Sequence, residues 1–266
     1  MEGLAERPAQ SGEYDEGMQA LLQHVWGDGF LSPGGPEEIA RLLEGVDLRG
    51  RRVLDIGCGL GAIDILLVTH HGAAQVTGID LDADLVAKAQ ARISAAGLGD
   101  RIHARVVLPG PLDCADQSVD VVFSKDSIVQ IPDKSGLFAE CHRVLKPGGC
   151  LVASDWLRGG EGAYSAQMRE YFRLEGITYN MASPAETRAA LAAAGFIDIE
   201  LRDRSSWYLD LARREHAALS GAWRETLIAR IGESRTVHFI ANWRQLVTVL
   251  ERGELLPAHL LARRAR

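Results

Sequence analysis

One stretch constrains this chain more than any other: Val53-Leu54-Asp55-Ile56-Gly57-Cys58-Gly59-Leu60-Gly61. A short apolar run is interrupted by an acid and stops at three glycines that alternate with other residues. The pattern predicts a buried strand feeding a tight turn that opens a helix. Glycine in the turn reaches dihedrals closed to other residues and leaves the main chain bare for a ligand. Ligands of open α/β sheets bind beyond the carboxyl ends of the strands, so a binding site is expected at this turn.

The flanking pattern agrees. Strands are predicted over residues 52–56, 75–80, 101–107, 119–123, 150–154 and 197–201, with helices between them over 62–70, 82–96, 137–145 and 183–194. Gly97 stops the second of these helices. Ser183-Pro184-Ala185-Glu186 starts the last, with serine as N-cap, proline at the first position and glutamate closing a capping box. Strands alternating with helices at this spacing mean a doubly wound, mostly parallel α/β sheet. Residues 1–13 read as a frayed polar terminus, and helices are expected from Asp15 and over 36–43. After Trp156 the pattern changes: a helix is expected around 166–173, residues 206–252 are mainly helical, and 258–262 form a last, edge strand. The organisation expected is a single domain over 1–266. It has an N-terminal lid at about 12–45, a core at about 46–157 and 183–204, and helical cap insertions at about 158–182 and 205–252.

Composition narrows the partners. With 266 residues, 47% of them hydrophobic and 24% charged, the chain can bury a large core. A net charge of -7 gives no nucleic-acid footprint, and the basic run at 263–266 reads as a solvated tail. No apolar run approaches the roughly 20 residues of a membrane span, and none follows a basic start as in a signal peptide. Cys58, Cys114, Cys141 and Cys150 form no C-x-x-C pair, so neither a disulfide framework nor a metal site is expected. Reduced thiols and a cytoplasmic location fit this usage, and the oligomeric state is open.

Three features say what the turn binds. The glycines run G-x-G-x-G, whereas the dinucleotide fingerprint is G-x-G-x-x-G, and the turn holds no lysine or arginine to meet a pyrophosphate. Asp80 ends the second predicted strand, where a carboxylate can accept both ribose hydroxyls of a nucleoside. Lys146-Pro147-Gly148-Gly149 turns tightly into the fifth. Over residues 50–155 this set resembles the class I S-adenosylmethionine-dependent methyltransferases. The resemblance implies a seven-stranded sheet whose last strand is antiparallel, with S-adenosylmethionine as cofactor. It implies Gly57, Gly59 and Gly61 beside the methionine moiety and Asp80 on the ribose. Leu31, Ser32, Asp55 and Leu81 complete the expected cofactor shell with Leu108, Pro109, Ser124 and Lys125. The acid that usually follows the third strand is replaced by Val107-Leu108-Pro109-Gly110, so backbone groups are expected on the adenine.

A narrower resemblance lies outside the core. Tyr14-Asp15-Glu16-Gly17, the loop Trp26-Gly27-Asp28-Gly29-Phe30-Leu31-Ser32-Pro33-Gly34-Gly35, and Ser124-Lys125-Asp126-Ser127-Ile128-Val129-Gln130-Ile131 followed by Asp133-Lys134 are similar to the phosphoethanolamine N-methyltransferases. The resemblance implies that Tyr14 closes a lid over the cofactor and that Asp126 orients the acceptor. The family's histidine base corresponds to Gln130, which holds a hydrogen bond but takes no proton. Its phosphate-binding tyrosine after the fifth strand corresponds to Trp156 and its cap arginine to Ile177, while Tyr179 matches a further cap tyrosine. The function expected is methyl transfer to a small-molecule acceptor, an amine nitrogen first. The alternatives are an O- or C-acceptor of a biosynthetic pathway, a methyltransferase-fold protein that binds the cofactor without transferring methyl, or another Rossmann-like nucleotide binder.

Overall fold

The computed structural model describes residues 14–160, 162–177 and 179–266; the frayed terminus expected over 1–13 lies outside the described residues. Seven strands form one sheet: β1 (Arg52–Ile56), β2 (Gln75–Asp80), β3 (Ile102–Val106), β4 (Val119–Lys125), β5 (Leu145–Arg158), β6 (Ile197–Asp203) and β7 (Leu255–Arg263). Their order is β3-β2-β1-β4-β5-β7-β6. Pairing is parallel from β3 through β5, and β7 runs antiparallel to both β5 and β6. Ten α-helices accompany it among the described residues: α1 (Glu16–Trp26), α2 (Gly35–Leu42), α3 (Ala62–Thr69), α4 (Ala83–Ala95), α5 (Lys134–Val144), α6 (Ala166–Glu175), α7 (Pro184–Ala193), α8 (Ser205–Ser220), α9 (Arg224–Ile231) and α10 (Glu233–Glu251).

Both faces of the sheet are covered, which is why β1 and β4 bury consecutive residues rather than alternating buried with exposed ones. Val53, Val76, Val121 and Phe123 face one core with Ile39 of α2, Leu67 of α3 and Ala89 of α4. Their neighbours Leu54, Ile79 and Val122 face the other with Phe138 of α5 and Leu191 of α7. A third cluster joins α1, α6, α8, α9 and α10 through Leu22, Met168, Tyr208, Leu227 and Trp243. The capping box foreseen at Ser183 and Glu186 is formed.

Two expectations need correction. Residues 258–262 are not at the edge: β7 lies between β5 and β6, and β6 is the edge strand. Burial explains the order, since β7 hides Leu255, Leu260 and Ala262, whereas most of β6 is partly or fully exposed. The run at residues 146–149 is not a turn before β5 but a bulge inside it. Leu145 pairs with Val119 and Cys150 with Val121, so four residues oppose one. A side chain at Gly149 would put its Cβ 2.7 Å from the Asp120 carbonyl oxygen, so glycine permits the bulge. β5 also runs on to Arg158, so Trp156 stands within the strand rather than after it.

Candidate active site

The turn after β1 is built as its glycines require. Gly57, Gly59 and Gly61 all have positive φ, at 82°, 53° and 76°. The Gly57 and Cys58 amides both donate to the Ile79 carbonyl, at 2.8 and 3.1 Å, which fastens the turn to the end of β2. A Cβ on Gly57 would stand 2.0 Å from the Ser127 hydroxyl oxygen. The missing side chain is therefore what lets the segment after β4 close against the turn. The two segments meet at the base of a cleft of about 1360 Å³ at the carboxyl ends of the strands, the turn on one wall and the segment after β4 on the other.

Asp80 lines this cleft. Its Oδ2 accepts the Gly59 amide at 2.9 Å and its Oδ1 the Asp82 amide at 3.0 Å. Burial holds its pKa above the ordinary value against these hydrogen bonds. Beneath it lie two fully buried acids, Asp55 of β1 and Asp64 of α3. Burial raises the pKa of both, and the neighbouring Asp64 charge adds to the rise at Asp55. Gly78 makes room for them, since a Cβ there would meet Asp64 Oδ2 at 2.4 Å.

The opposite wall begins where β4 ends. Asp126 turns the chain with a φ of 58°, a conformation that aspartate tolerates better than most residues. Its amide donates to the Ser154 carbonyl at 2.7 Å, its Oδ1 accepts the Ser154 hydroxyl at 2.8 Å, and its Oδ2 meets Lys125 Nζ at 2.6 Å. Lys125 and Asp126 thus form a buried ion pair, their side chains 4% and 9% exposed. A 3-10 turn, Ile128–Gln130, follows and presents Gln130 to the cleft. Asp155 of β5 holds that turn by accepting the Val129 amide at 2.8 Å. Lys134 reinforces it by donating to the carbonyls of Ile128 and Ile131. Burial pushes Asp155 up to about 7, against the pull of Lys134.

Aromatic side chains of β5, α6, α8 and the segment after α6 line the rest of the cleft. Trp156 and Tyr208 meet edge to face at 4.7 Å, and Tyr171 and Tyr179 stack at 6.1 Å. Trp26 of α1 and Trp243 of α10 each donate their indole N–H to a different oxygen of Glu215, at 2.8 and 2.9 Å. Burial pushes this carboxyl up to about 7. One acid on α8 therefore ties α1 to α10. Glu38 of α2 likewise joins the start of α8 to β7, paired with Arg204 at 2.6 Å and His259 at 2.7 Å.

Most of the residues singled out in the sequence meet on this surface. Tyr14, Leu31, Ser32, Gly57, Gly59, Asp80, Leu81, Leu108, Pro109, Lys125, Asp126, Gln130, Trp156 and Tyr179 all line the cleft. Asp55, Gly61 and Ser124 stand behind it. Ser124 is fully buried and bonds the Ile56 carbonyl at 2.8 Å. Gly61 packs against Ala89, 3.0 Å from where its Cβ would be. The sequence reading missed Asp155, Glu215 and Glu175 as parts of the site. Each acts through a residue far along the chain, and no local motif marks it. It also missed Asp113, which lines the cleft with Leu108 and Pro109 while paired to Arg105 at 2.6 Å.

Comparison with known proteins gives this geometry its relatives. Residues 53–149 match the family described as a methyltransferase domain. Phosphoethanolamine N-methyltransferase 1 of Arabidopsis thaliana is 32% identical over 219 residues, 77% of this chain and 43% of the relative. The chain thus spans less than half the length of the plant relatives matched first. Phosphoethanolamine N-methyltransferase of Plasmodium falciparum is 26% identical over 86% of this chain and 84% of its own length. A structure of Haemonchus contortus phosphoethanolamine N-methyltransferase 2, with phosphomonomethylethanolamine and S-adenosylhomocysteine, superposes with a TM-score of 0.84. It is 25% identical and covers 92% of this chain and 57% of its own. The seven-stranded order with its antiparallel β7, the glycine turn and these relatives converge: the chain has the Rossmann-like fold of the class I S-adenosylmethionine-dependent methyltransferases and resembles their phosphoethanolamine N-methyltransferase group.

Proposed function

We propose that this chain transfers a methyl group from S-adenosylmethionine to the nitrogen of a small amine. The observation that carries the reading is a single cleft that joins the glycine turn and Asp80 to Lys125, Asp126, Gln130 and an aromatic cap. The cofactor half fits the nucleoside. Each Asp80 oxygen accepts one backbone amide and keeps a lone pair for a ribose hydroxyl. Leu81 and Leu108, 60% and 85% exposed, are apolar faces that an adenine would cover. The turn carries no basic residue to repel a sulfonium. Bound there, S-adenosylmethionine supplies a methyl group already activated by its positive sulfur.

The residues of the other half have two tasks. They align the acceptor nitrogen behind the methyl, which needs positioning more than covalent chemistry. They also stabilise the positive charge that develops on nitrogen, through the remaining lone pairs of Asp126 and the oxygens of Gln130 and Tyr14. Gln130 accepts no proton, and the Asp126 carboxylate is engaged by Lys125 and Ser154. The amine therefore loses its proton to water before attack, and the rate rises with pH.

The test is a screen of amines, phosphobases and phenols for S-adenosylhomocysteine release, with calorimetry of S-adenosylmethionine and NAD. Release with amines and binding of S-adenosylmethionine alone are expected; turnover of phenols only would overturn the nitrogen assignment. Asp80→Ala weakens cofactor binding by about 1–3 kcal/mol. The reading also carries a cytoplasmic location, in keeping with four unpaired cysteines, three of them buried. It treats residues 12–45 as lid and 158–182 with 205–252 as cap of one domain. No described helix is long and apolar enough to cross a membrane.

A further inference from the structure

One corner of the cleft has a chemistry that methyl transfer itself does not use. Glu175, at the end of α6, lines the cleft and is only half-buried. Asn242 Nδ2 donates to its Oε2 at 2.5 Å, and the Tyr179 hydroxyl also bonds it. The first bond fixes the orientation of the Asn242 amide, because the flipped amide would set oxygen against carboxylate. Its carbonyl oxygen is thereby left over: Oδ1 is buried, has no hydrogen-bond partner, and belongs to a cleft-lining residue only 3% exposed. Carboxylate and orphan carbonyl are both acceptors, and both call for N–H donors. His238 acts electrostatically on Glu175 but has its Nε2 on the Leu174 carbonyl oxygen at 2.8 Å.

The surroundings favour a cation and disfavour an anion. The stacked rings of Tyr171 and Tyr179 line the cleft together with Glu175, and aromatic rings attract an ammonium. Among the described residues, Lys125 is the one basic side chain on the cleft wall, and it is committed to Asp126 at 2.6 Å. A phosphate needs cationic or multiple donor partners, and this wall offers acids instead. Asp126, Glu175 and Tyr208 all line this one cleft, so the corner opens into the same space as the proposed methylation point.

We propose that Glu175, Asn242 and Tyr179 form a subsite for a second, cationic group of the acceptor. The substrates are then diamines or related polyamine-like bases, with an ammonium at the end remote from the methylated nitrogen, and phosphorylated amino alcohols bind poorly. This rests on the methyl-transfer reading for its reaction but not for its binding. The test is therefore titration calorimetry on the full chain loaded with S-adenosylhomocysteine, using butane-1,4-diamine, butylamine and phosphoethanolamine. The diamine is expected to bind about tenfold tighter than butylamine, with phosphoethanolamine weakest. Glu175→Gln should bring diamine and monoamine within about threefold of each other, with S-adenosylhomocysteine binding as the check on folding. Phosphoethanolamine binding more tightly than the diamine, equal affinity for diamine and butylamine, or a diamine preference that survives Glu175→Gln would each overturn the subsite. The first two comparisons use the unaltered protein and hold even if the variant does not fold. Glu175-dependent diamine binding with no methyl transfer to any amine keeps the subsite and removes the reaction; monoamine turnover without a diamine preference does the reverse.

Discussion

Gly57→Ala is the sharpest perturbation this site offers, because the structure gives both the cost and its remedy. At a φ of 82° an alanine pays the left-handed penalty of about 1–2 kcal/mol. Its Cβ would also stand 2.0 Å from Ser127 Oγ and 2.4 Å from Ser127 Cβ, a clash that forces backbone to shift. Overpacking of this kind costs about 1–3 kcal/mol, so the variant is expected to lose about 2–5 kcal/mol. Ser127→Gly removes both clashing atoms. It gives up only long hydroxyl contacts, 3.3 Å to the Lys125 carbonyl and 3.4 Å to that of Gly57, and costs about 0.5–1 kcal/mol by itself. In the double variant the clash is gone and the dihedral penalty stays, so the two changes should be non-additive by about 1–3 kcal/mol. Urea unfolding of the four proteins measures this, with equal slopes as the condition for comparison. S-adenosylmethionine titration then reads whether the turn has moved. A Gly57→Ala protein within about 0.5 kcal/mol of the parent, or strict additivity, would refute the claim that the two walls meet at this glycine.

Glu215→Gln tests the clamp between α1, α8 and α10. Its carboxyl is raised from 4.5 to about 7, so between those values the folded state holds a proton that the unfolded state has lost. Stability should therefore fall by about 3 kcal/mol as pH rises through that window and level off above it; the variant should lose this slope in thermal melts. Lys125→Met leaves the buried Asp126 carboxylate without its cation and should cost about 3–5 kcal/mol in chemical denaturation, part of which Asp126→Asn returns. Glu38→Ala strips the partner from Arg204 and from the buried His259 and should destabilise by a similar ~3–5 kcal/mol in thermal melts. The Glu38 pKa is lowered by its partners against the effect of burial. Its contribution is therefore present at neutral pH and is lost as pH falls through the folded value, so parent and variant should converge in acid.

The strands, the helices and the turn after β1 were legible because their signals are local: an apolar run, glycines at fixed offsets, an aspartate at a strand end. The order of the last two strands was not. β7 sits inside the sheet because Leu255, Leu260 and Ala262 find β5 on one side and β6 on the other, and such pairing is decided across the fold. Even so, the nearly unbroken apolar run at 255–262, against the alternation of Ile197-Asp198-Ile199-Glu200, was a readable sign of which strand is interior.

The site divides in the same way. Residues that bear on the cofactor half lie in contiguous motifs, and their spacing alone assembled the glycine turn beside Asp80. The proposed acceptor half depends on partners far apart in sequence: Asp126 with Ser154, Val129 with Asp155, Trp26 and Trp243 with Glu215, Asn242 with Glu175. A buried acid is tolerable only where donors reach it, and which donors arrive is a property of the packed helices. By itself the sequence determined a doubly wound sheet and a glycine turn beside Asp80 at the end of its first strand, because backbone geometry and hydrophobic period are local. Only the tertiary structure decided the charge of the proposed acceptor pocket, because that charge is the sum of residues brought together from α1, β4, β5, α6, α8 and α10.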